Sequence, residues 1–179
     1  EIAKTVAVFS AFTEGLQLFA SFAILLNFPR FNKMKGMGQI VTWSVRDETL
    51  HCNSMIKIFN TFCDENPGLL DDSLKKEIYD ACSTIIEHED AFIDLAFEMG
   101  DIEGLKAEEV KKYIRWIANR RLAQLRLNDL YEVKENPKSL DAVLFSCCRK
   151  FESIPCDGKS LSGRIIFALE PVSYTHLRA

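Results

Sequence analysis

Residues 33–62 read KMKGMGQIVTWSVRDETLHCNSMIKIFNTF, and this stretch decides the predicted fold. Its apolar residues recur every three or four positions, which is the spacing that places side chains on one face of an α-helix. Two ionisable residues, Glu48 and His51, fall on the same stripe. The segment from Lys33 to Phe62 is therefore predicted to be a long helix that turns one acid and one histidine inward. The full stripe is Met37, Ile40, Val41, Ser44, Val45, Glu48, His51, Met55, Ile58 and Phe59.

The preceding segment, from Thr5 to Phe28, is almost entirely apolar and stops at Pro29. Such a run predicts a helix that is buried on all sides. A membrane span has a similar length, but Glu14 and Gln17 lie near the middle of this one. Because a carboxylate at the bilayer centre costs about 3 kcal/mol or more, a helix buried in a protein core is the preferred interpretation.

Two more helices are predicted downstream. The first begins near a cap formed by Asp71-Asp72-Ser73 and ends near Gly100; the second begins at about Ala107. Glutamates in the first turn of this last helix and arginines towards its end suit the helix dipole. Short connections between four long helices predict antiparallel neighbours, so the expected fold class is an all-α helical bundle.

The composition is that of a globular chain with a core of its own. The 179 residues are 47% hydrophobic and 27% charged, with a net charge of −4, which excludes a disordered class. The lysines and arginines are scattered, so neither nucleic acid nor membrane is an expected partner. Six cysteines without a CxxC spacing predict free thiols in a reducing compartment, and hence a cytoplasmic protein.

Glu48 and His51 are three residues apart, so both side chains leave one face of a helix and could bind one metal ion. Di-iron and di-manganese carboxylate bundles use this Glu-x-x-His arrangement, although such a pair also arises by chance. Glu14 strengthens the metal hypothesis, because an ionised carboxylate inside an apolar helix needs a cation or strong hydrogen bonds. Antiparallel packing of the two helices would bring Glu14 and Glu48 to comparable heights. The alternative is a metal-free helical interaction domain in which Glu14 is exposed or hydrogen-bonded.

A second cluster, Glu87-His88-Glu89-Asp90, looks like a metal site only when it is read linearly. Neighbouring helical residues point about 100° apart, so His88 cannot share a face with both Glu87 and Glu89. Glu89 is predicted to face the interior, and Glu87 and His88 to face solvent.

Four stretches of the chain form a specific combination of motifs. They are residues 13–23 (TEGLQLFASFA), 35–51 (KGMGQIVTWSVRDETLH), 89–97 (EDAFIDLAF) and 113–122 (YIRWIANRRL). Through them, residues 1–137 resemble the small (beta) subunit of class I ribonucleotide reductase, which belongs to the ferritin-like superfamily. The resemblance implies a partial ferritin-like bundle that corresponds to the C-terminal half of that subunit.

The resemblance also implies a dinuclear centre of iron, of manganese, or of one ion of each. By position, Glu14, Glu48 and His51 match three of the family's six metal ligands. Asp47 matches a carboxylate that hydrogen-bonds a metal-ligating histidine and lies on the route of long-range radical transfer.

The implied activity is that of ribonucleoside-diphosphate reductase, an oxidoreductase that supplies deoxyribonucleotides for DNA replication. The metal-carrying subunit, a homodimer, generates a stable oxidising equivalent and passes it to the large catalytic subunit. The remaining ligands and the radical tyrosine are expected upstream, so this fragment alone is expected to be inactive. The alternative with the same ligand pattern is a ferritin-like di-iron oxidase or iron-storage bundle.

Beyond Pro137 the pattern changes. Residues 138–170 have weak periodicity and are predicted to be a divergent tail that a frameshift would explain. Residues 171–179, PVSYTHLRA, resemble translated adapter sequence, so His176 is not counted as a ligand.

Overall fold

The computed structural model describes residues 1–137 and Leu140. The regular elements in this range are helical: α1 (Ile2–Val8), α2 (Phe19–Asn27), α3 (Lys35–Glu65), α4 (Asp72–Ala96) and α5 (Ala107–Gln124). A π-helical turn (Phe9–Thr13) follows α1, and a 3₁₀ turn (Phe28–Phe31) follows α2. Leu140 apart, the predictions for residues 138–170 and 171–179 lie outside the described residues.

The segment that runs from α1 to α2 lies at the centre of the packing. Helix α1 contacts α3 and α4, whereas α2 contacts α3 and α5. Burial of apolar side chains among these helices is the main force that holds the bundle together. The largest fully buried side chains of the five helices and the segments between them include Phe12, Leu16, Phe59, Ile78, Ile93, Leu105, Tyr113, Ile114 and Leu122.

The prediction of one continuous helix from Thr5 to Phe28 is wrong. The backbone N–H of Glu14 donates to the Phe9 carbonyl at 3.0 Å, and that of Gln17 donates to the Phe12 carbonyl at 2.9 Å. Both bonds span five residues rather than the four of an α-helix, so the helix widens. Residues 14–18 then form turns before α2 begins. We call residues 14–18 the helix break.

The prediction that this segment is buried on all sides is also wrong. Phe9 before the helix break and Leu18 at its end both keep exposed side chains. The buried face carries Ala7, Phe12 and Leu16 instead. The apolar sequence of this segment therefore predicted more complete burial of its side chains than the described residues show.

Helix α3 agrees with its predicted extent, but not with the whole of its predicted inward stripe. Val41, Val45 and Phe59 are buried, whereas Ile40 and Ile58 are exposed. At about 100° per residue, Ile40 and Ile58 each lie roughly 100° away from the line through Val41 and Phe59. The buried stripe is therefore narrower than the apolar pattern indicated.

The later helices follow their predictions. The Asp71 carboxylate accepts a hydrogen bond from the Leu74 backbone N–H at 2.8 Å and so caps α4. Glu89 is buried on α4, while Glu87 and His88 are exposed, as expected. Among the described residues, no helix combines the length and the apolar content that crossing a membrane requires.

Gly15→Ala is expected to destabilise the fold by about 1–3 kcal/mol, the usual cost of overpacking a well-filled site. A Cβ atom at Gly15 would lie 2.5 Å from the Ala11 carbonyl oxygen and 2.7 Å from both Arg121 Nε and Cys52 Sγ. Urea unfolding followed by circular dichroism would measure the change in the free energy of unfolding.

The matched control is Gly36→Ala, since nothing lies within 4 Å of a Cβ atom placed there in α3. This variant should be neutral or should gain up to about 1 kcal/mol from the better helix propensity of alanine. Equal effects of the two substitutions would contradict the close packing described at Gly15.

Candidate metal centre

Three residues predicted as ligands come together in the structure. One side-chain oxygen or nitrogen from each of Glu14, Glu48 and His51 lies within 4.8 Å of the corresponding atoms of the other two. His51 Nδ1 is 3.6 Å from Glu48 Oε2 and 3.9 Å from Glu14 Oε2. The convergence expected from the helix register is therefore present.

Two elements position these side chains. Glu48 and His51 project from adjacent turns of α3, and Glu14 is the first residue of the helix break. Gly15, the next residue, lies so close to Cys52 of α3 that a Cβ atom would be 2.7 Å from the sulfur. Cys52 follows His51 directly. The close approach of Gly15 to Cys52 therefore brings Glu14 next to α3, the helix that carries Glu48 and His51.

The three side chains differ in their exposure. Those of Glu14 and Glu48 are 25% and 22% exposed, whereas that of His51 is 59% exposed. The prediction that His51 faces the interior is therefore wrong. On α3 it lies about 80° from the buried line through Val41 and Phe59, so its side chain is open to solvent. Glu14 is also less enclosed than the apolar sequence around it indicated.

The electrostatics of Glu48 show that negative charge on its carboxylate is poorly compensated. Its pKa is raised above the usual value, first because a protonated Glu48 can donate a hydrogen bond to Glu14. Burial and repulsion from Glu14 raise the pKa further, while His51 opposes the shift. In addition, Glu48 Oε2 is buried and accepts no hydrogen bond within the described residues.

These features fit a bound metal ion. Ligand atoms about 2.0–2.2 Å from one ion can be at most about 4.4 Å apart, and both His51 distances satisfy that limit. Two carboxylates with one imidazole are donors that suit iron and manganese. A cation would also satisfy the unpaired Glu48 oxygen and remove the repulsion between the two acids.

Asp47 does not join the three converging residues. It is exposed on α3 and makes no hydrogen bond or ion pair with any other residue in the described range. Its expected hydrogen bond to a metal-ligating histidine therefore stays a prediction. In the second acidic cluster, Glu89 is buried and separated from the exposed Glu87 and His88, so the linear cluster forms no metal-binding group.

Arg121 on α5 was missed by sequence reasoning, which treated it as a basic residue that suits the helix dipole. Instead it is buried, and its Nε donates a hydrogen bond to the Gly15 carbonyl at 2.8 Å. The signal was available, because Arg121 continues the inward spacing from Ile114 and Ile117 to Leu125.

Comparison with known proteins identifies the family. The family model described as ribonucleotide reductase, small chain, matches residues 1–137. The chain belongs to this family. The match includes all three converging residues and ends where the pattern of the sequence changes.

Named members of the family are similar over the same range. A probable ribonucleoside-diphosphate reductase small subunit from Invertebrate iridescent virus 3 is 51% identical over 138 residues, which cover 76% of this chain and 37% of the relative. The ribonucleoside-diphosphate reductase subunit beta of Chlamydia pneumoniae is 34% identical over 124 residues, covering 69% of this chain and 35% of the relative. The chain thus spans little more than a third of the length of these relatives.

Solved structures confirm the fold class. A Bacillus halodurans protein assigned to class I ribonucleotide reductase superposes with a TM-score of 0.70 at 29% identity, over 76% of this chain and 49% of the other. The dimanganese(II)-NrdF of Streptococcus sanguinis superposes with a TM-score of 0.67 at 23% identity, over 77% and 48% of the two chains. The partial, all-α ferritin-like bundle predicted from the sequence is the fold of residues 1–137.

Glu89 provides a prediction for the pH dependence of stability. Burial raises the pKa of its carboxyl from 4.5 to about 7. Between these values the folded chain holds a proton that the unfolded chain releases, so the free energy of unfolding should fall as pH rises, by up to about 1.4 kcal/mol per pH unit. Glu89→Gln, which cannot ionise, should remove this component of the slope.

Urea unfolding of the parent chain and Glu89→Gln between pH 4.5 and 7.5 would measure the difference. The exposed Glu87→Gln is the control and should retain the slope of the parent chain. A difference between parent and Glu89→Gln that stays constant with pH would contradict the assignment.

Proposed function

We propose that Glu14, Glu48 and His51 bind metal in the dinuclear iron or manganese centre of a class I ribonucleotide reductase small subunit. The observation that carries the proposal is the convergence of two carboxylates and one imidazole, including a buried oxygen that lacks a hydrogen-bond partner. Membership of the family supports it, as does the metal named for the Streptococcus sanguinis protein.

Each residue has a definite part in this proposal. The carboxylates of Glu14 and Glu48 supply negatively charged oxygen donors, and the His51 imidazole supplies a neutral nitrogen donor. Helix α3 fixes the last two in one register, while the helix break sets the position of the first. When bound, a dinuclear iron or manganese centre supplies one-electron oxidising power.

The wider activity follows the family. We infer that the chain contributes to a homodimeric metal-carrying subunit, which passes an oxidising equivalent to a large catalytic subunit that reduces ribonucleotides to deoxyribonucleotides. The free thiols of Cys52, Cys63 and Cys82 support a reducing, cytoplasmic setting. Asp47 is assigned to radical transfer on the family resemblance. The names of the relatives favour this reductase over an iron-storage bundle.

Metal binding by the chain itself tests the ligand assignment. Titration with Mn²⁺, followed by the electron paramagnetic resonance signal of the free ion, should show binding by the parent chain. Glu48→Gln and His51→Ala should each weaken it about tenfold or more, because loss of even an outer-shell partner typically costs 10–100-fold. Glu87→Gln, a change at an exposed acid on another helix, should bind as the parent does. Equal affinities for all four proteins would contradict the assignment.

The wider activity needs an assay with a complete enzyme. Residues 1–137 can replace the matching 138-residue region of the viral relative, whose identity of 51% favours a folded chimera. With the virus's large subunit and iron or manganese, the chimera should form deoxyribonucleotides. The same chimera carrying Glu14→Gln should lose about two orders of magnitude of activity or more. A folded, metal-loaded chimera with no activity would contradict the functional proposal while leaving metal binding intact.

A further inference from the structure

Arg121 is a buried charge that the metal site does not directly use. Its side chain lies on α5, the residue is 7% exposed, and it forms no ion pair with a carboxylate among the described residues. A buried guanidinium is normally paired with an acid or fully hydrogen-bonded, since desolvation of the charge is costly. The buried Arg121 guanidinium therefore needs hydrogen-bond acceptors other than a carboxylate.

The contacts of Arg121 are concentrated on the helix break. Its Nε donates to the Gly15 carbonyl at 2.8 Å, and its Nη1 donates to Gln124 Oε1 at 2.9 Å. The guanidinium also lies 5.4 Å from the centre of the Phe19 ring, within the range of a cation–π interaction. Gly15 lies within the break and Phe19 follows it directly, so one side chain contacts both.

The helix break creates the acceptor that Arg121 uses. In a regular α-helix the Phe19 N–H would bond the Gly15 carbonyl, but here it donates to Leu16 at 3.0 Å. The Gly15 carbonyl is thereby left without its helical donor, and Arg121 supplies a replacement. Without such a donor a buried carbonyl would be unsatisfied, which proteins rarely tolerate.

A second buried side chain faces the backbone just beyond the break. The backbone of Ala20, whose helical acceptor would be Leu16, lowers the pKa of the Glu89 carboxyl of α4, against the larger rise that burial causes. Glu89 is 4% exposed. Side chains from two different helices, Arg121 of α5 and Glu89 of α4, therefore face the backbone of the break and the residues that follow it.

Gln124 extends the contact to the helix that carries Glu48 and His51. Its Nε2 donates to Asn53 Oδ1 at 3.4 Å, and its backbone carbonyl accepts from Asn60 Nδ2 at 3.0 Å. Asn53 is two residues beyond His51 on α3. A continuous set of hydrogen bonds therefore runs from Gly15, beside Glu14, through α5 to α3.

We propose that Arg121 is a positioning residue, which fixes the helix break through the Gly15 carbonyl and so holds Glu14 opposite Glu48 and His51. The inference rests on the proposed metal site, because its consequence is a change in metal affinity. Arg121 forms no hydrogen bond or ion pair with Glu14, Glu48 or His51; it acts through the backbone of Gly15, the residue next to Glu14. Gly15 makes the contact possible, since a Cβ atom there would lie 2.7 Å from Arg121 Nε.

The test compares three variants of the full chain. Arg121→Met keeps an unbranched side chain of similar length but removes every donor, and Arg121→Lys keeps the charge and one donor group. Arg120→Met is the matched control, since Arg120 is the exposed neighbour whose guanidinium lies 4.8 Å from the centre of the Trp116 ring. Each variant is measured by Mn²⁺ titration, by urea unfolding and by amide hydrogen exchange.

We expect Arg121→Met to weaken Mn²⁺ binding about tenfold or more while it remains folded, the effect typical of losing a group that orients a ligand. Arg121→Lys should recover part of this loss, and Arg120→Met should stay within twofold of the parent. Amides of residues 14–20 should exchange faster in Arg121→Met, whereas those in the middle of α4 should not. Parent-like Mn²⁺ affinity in a folded Arg121→Met protein would overturn the proposal.

The exchange measurement separates this proposal from the proposed function. If the parent chain binds no Mn²⁺, the metal assignment fails, but exchange at residues 14–20 still decides whether Arg121 fixes the break. Unchanged exchange there would overturn the positioning role by itself. Should Arg121→Met fail to fold, Gln124→Ala, which removes the side-chain acceptor of Arg121, carries the same predictions in weaker form.

Discussion

The hydrogen bond from Arg121 to the Gly15 carbonyl is the interaction on which the arrangement of the site depends. It forms because the first long apolar segment departs from α-helical hydrogen bonding and exposes a backbone carbonyl inside the bundle. It is possible because residue 15 has no side chain, so that α3 and α5 can both approach the backbone there. A regular helix would satisfy its own carbonyl groups and give Arg121 no acceptor at this point.

The same feature explains why Glu14 is placed at the helix break. The hydrogen bond that the Glu14 N–H donates to the Phe9 carbonyl, five residues earlier, widens the helix immediately before this carboxylate. The turns that follow separate Glu14 from α2. Single π-helical turns occur frequently at functional sites, because they reorient a side chain at a modest cost in backbone hydrogen bonding. Here that cost is reduced by Arg121, which donates a hydrogen bond to the freed Gly15 carbonyl.

The sequence predicted the parts of the fold that depend on hydrophobic periodicity and local capping. Helix α3 and the inward position of Glu89 followed from spacing, and the start of α4 followed from the capping residues at 71–73. The meeting of Glu48 with His51 followed from helical geometry. The break between α1 and α2 could not be predicted in this way, because a shift in hydrogen bonding leaves the apolar pattern unchanged. The exposure of Ile40 and His51 was missed because helical spacing shows which residues share a face of α3. It does not show how much of that face the neighbouring helices bury. The approach of Glu14 to the other two residues depended on tertiary packing, and only its approximate height was predictable.

The central claim is that Glu14, Glu48 and His51 bind one metal centre, and diffraction from crystals soaked in Mn²⁺ tests it most directly. Anomalous difference maps recorded near the manganese absorption edge would locate each bound ion independently of any activity. We expect a peak between these three side chains, at about 2.0–2.3 Å from their ligand atoms. Peaks confined to exposed acidic residues such as Glu87, with none between the two carboxylates and the imidazole, would contradict it.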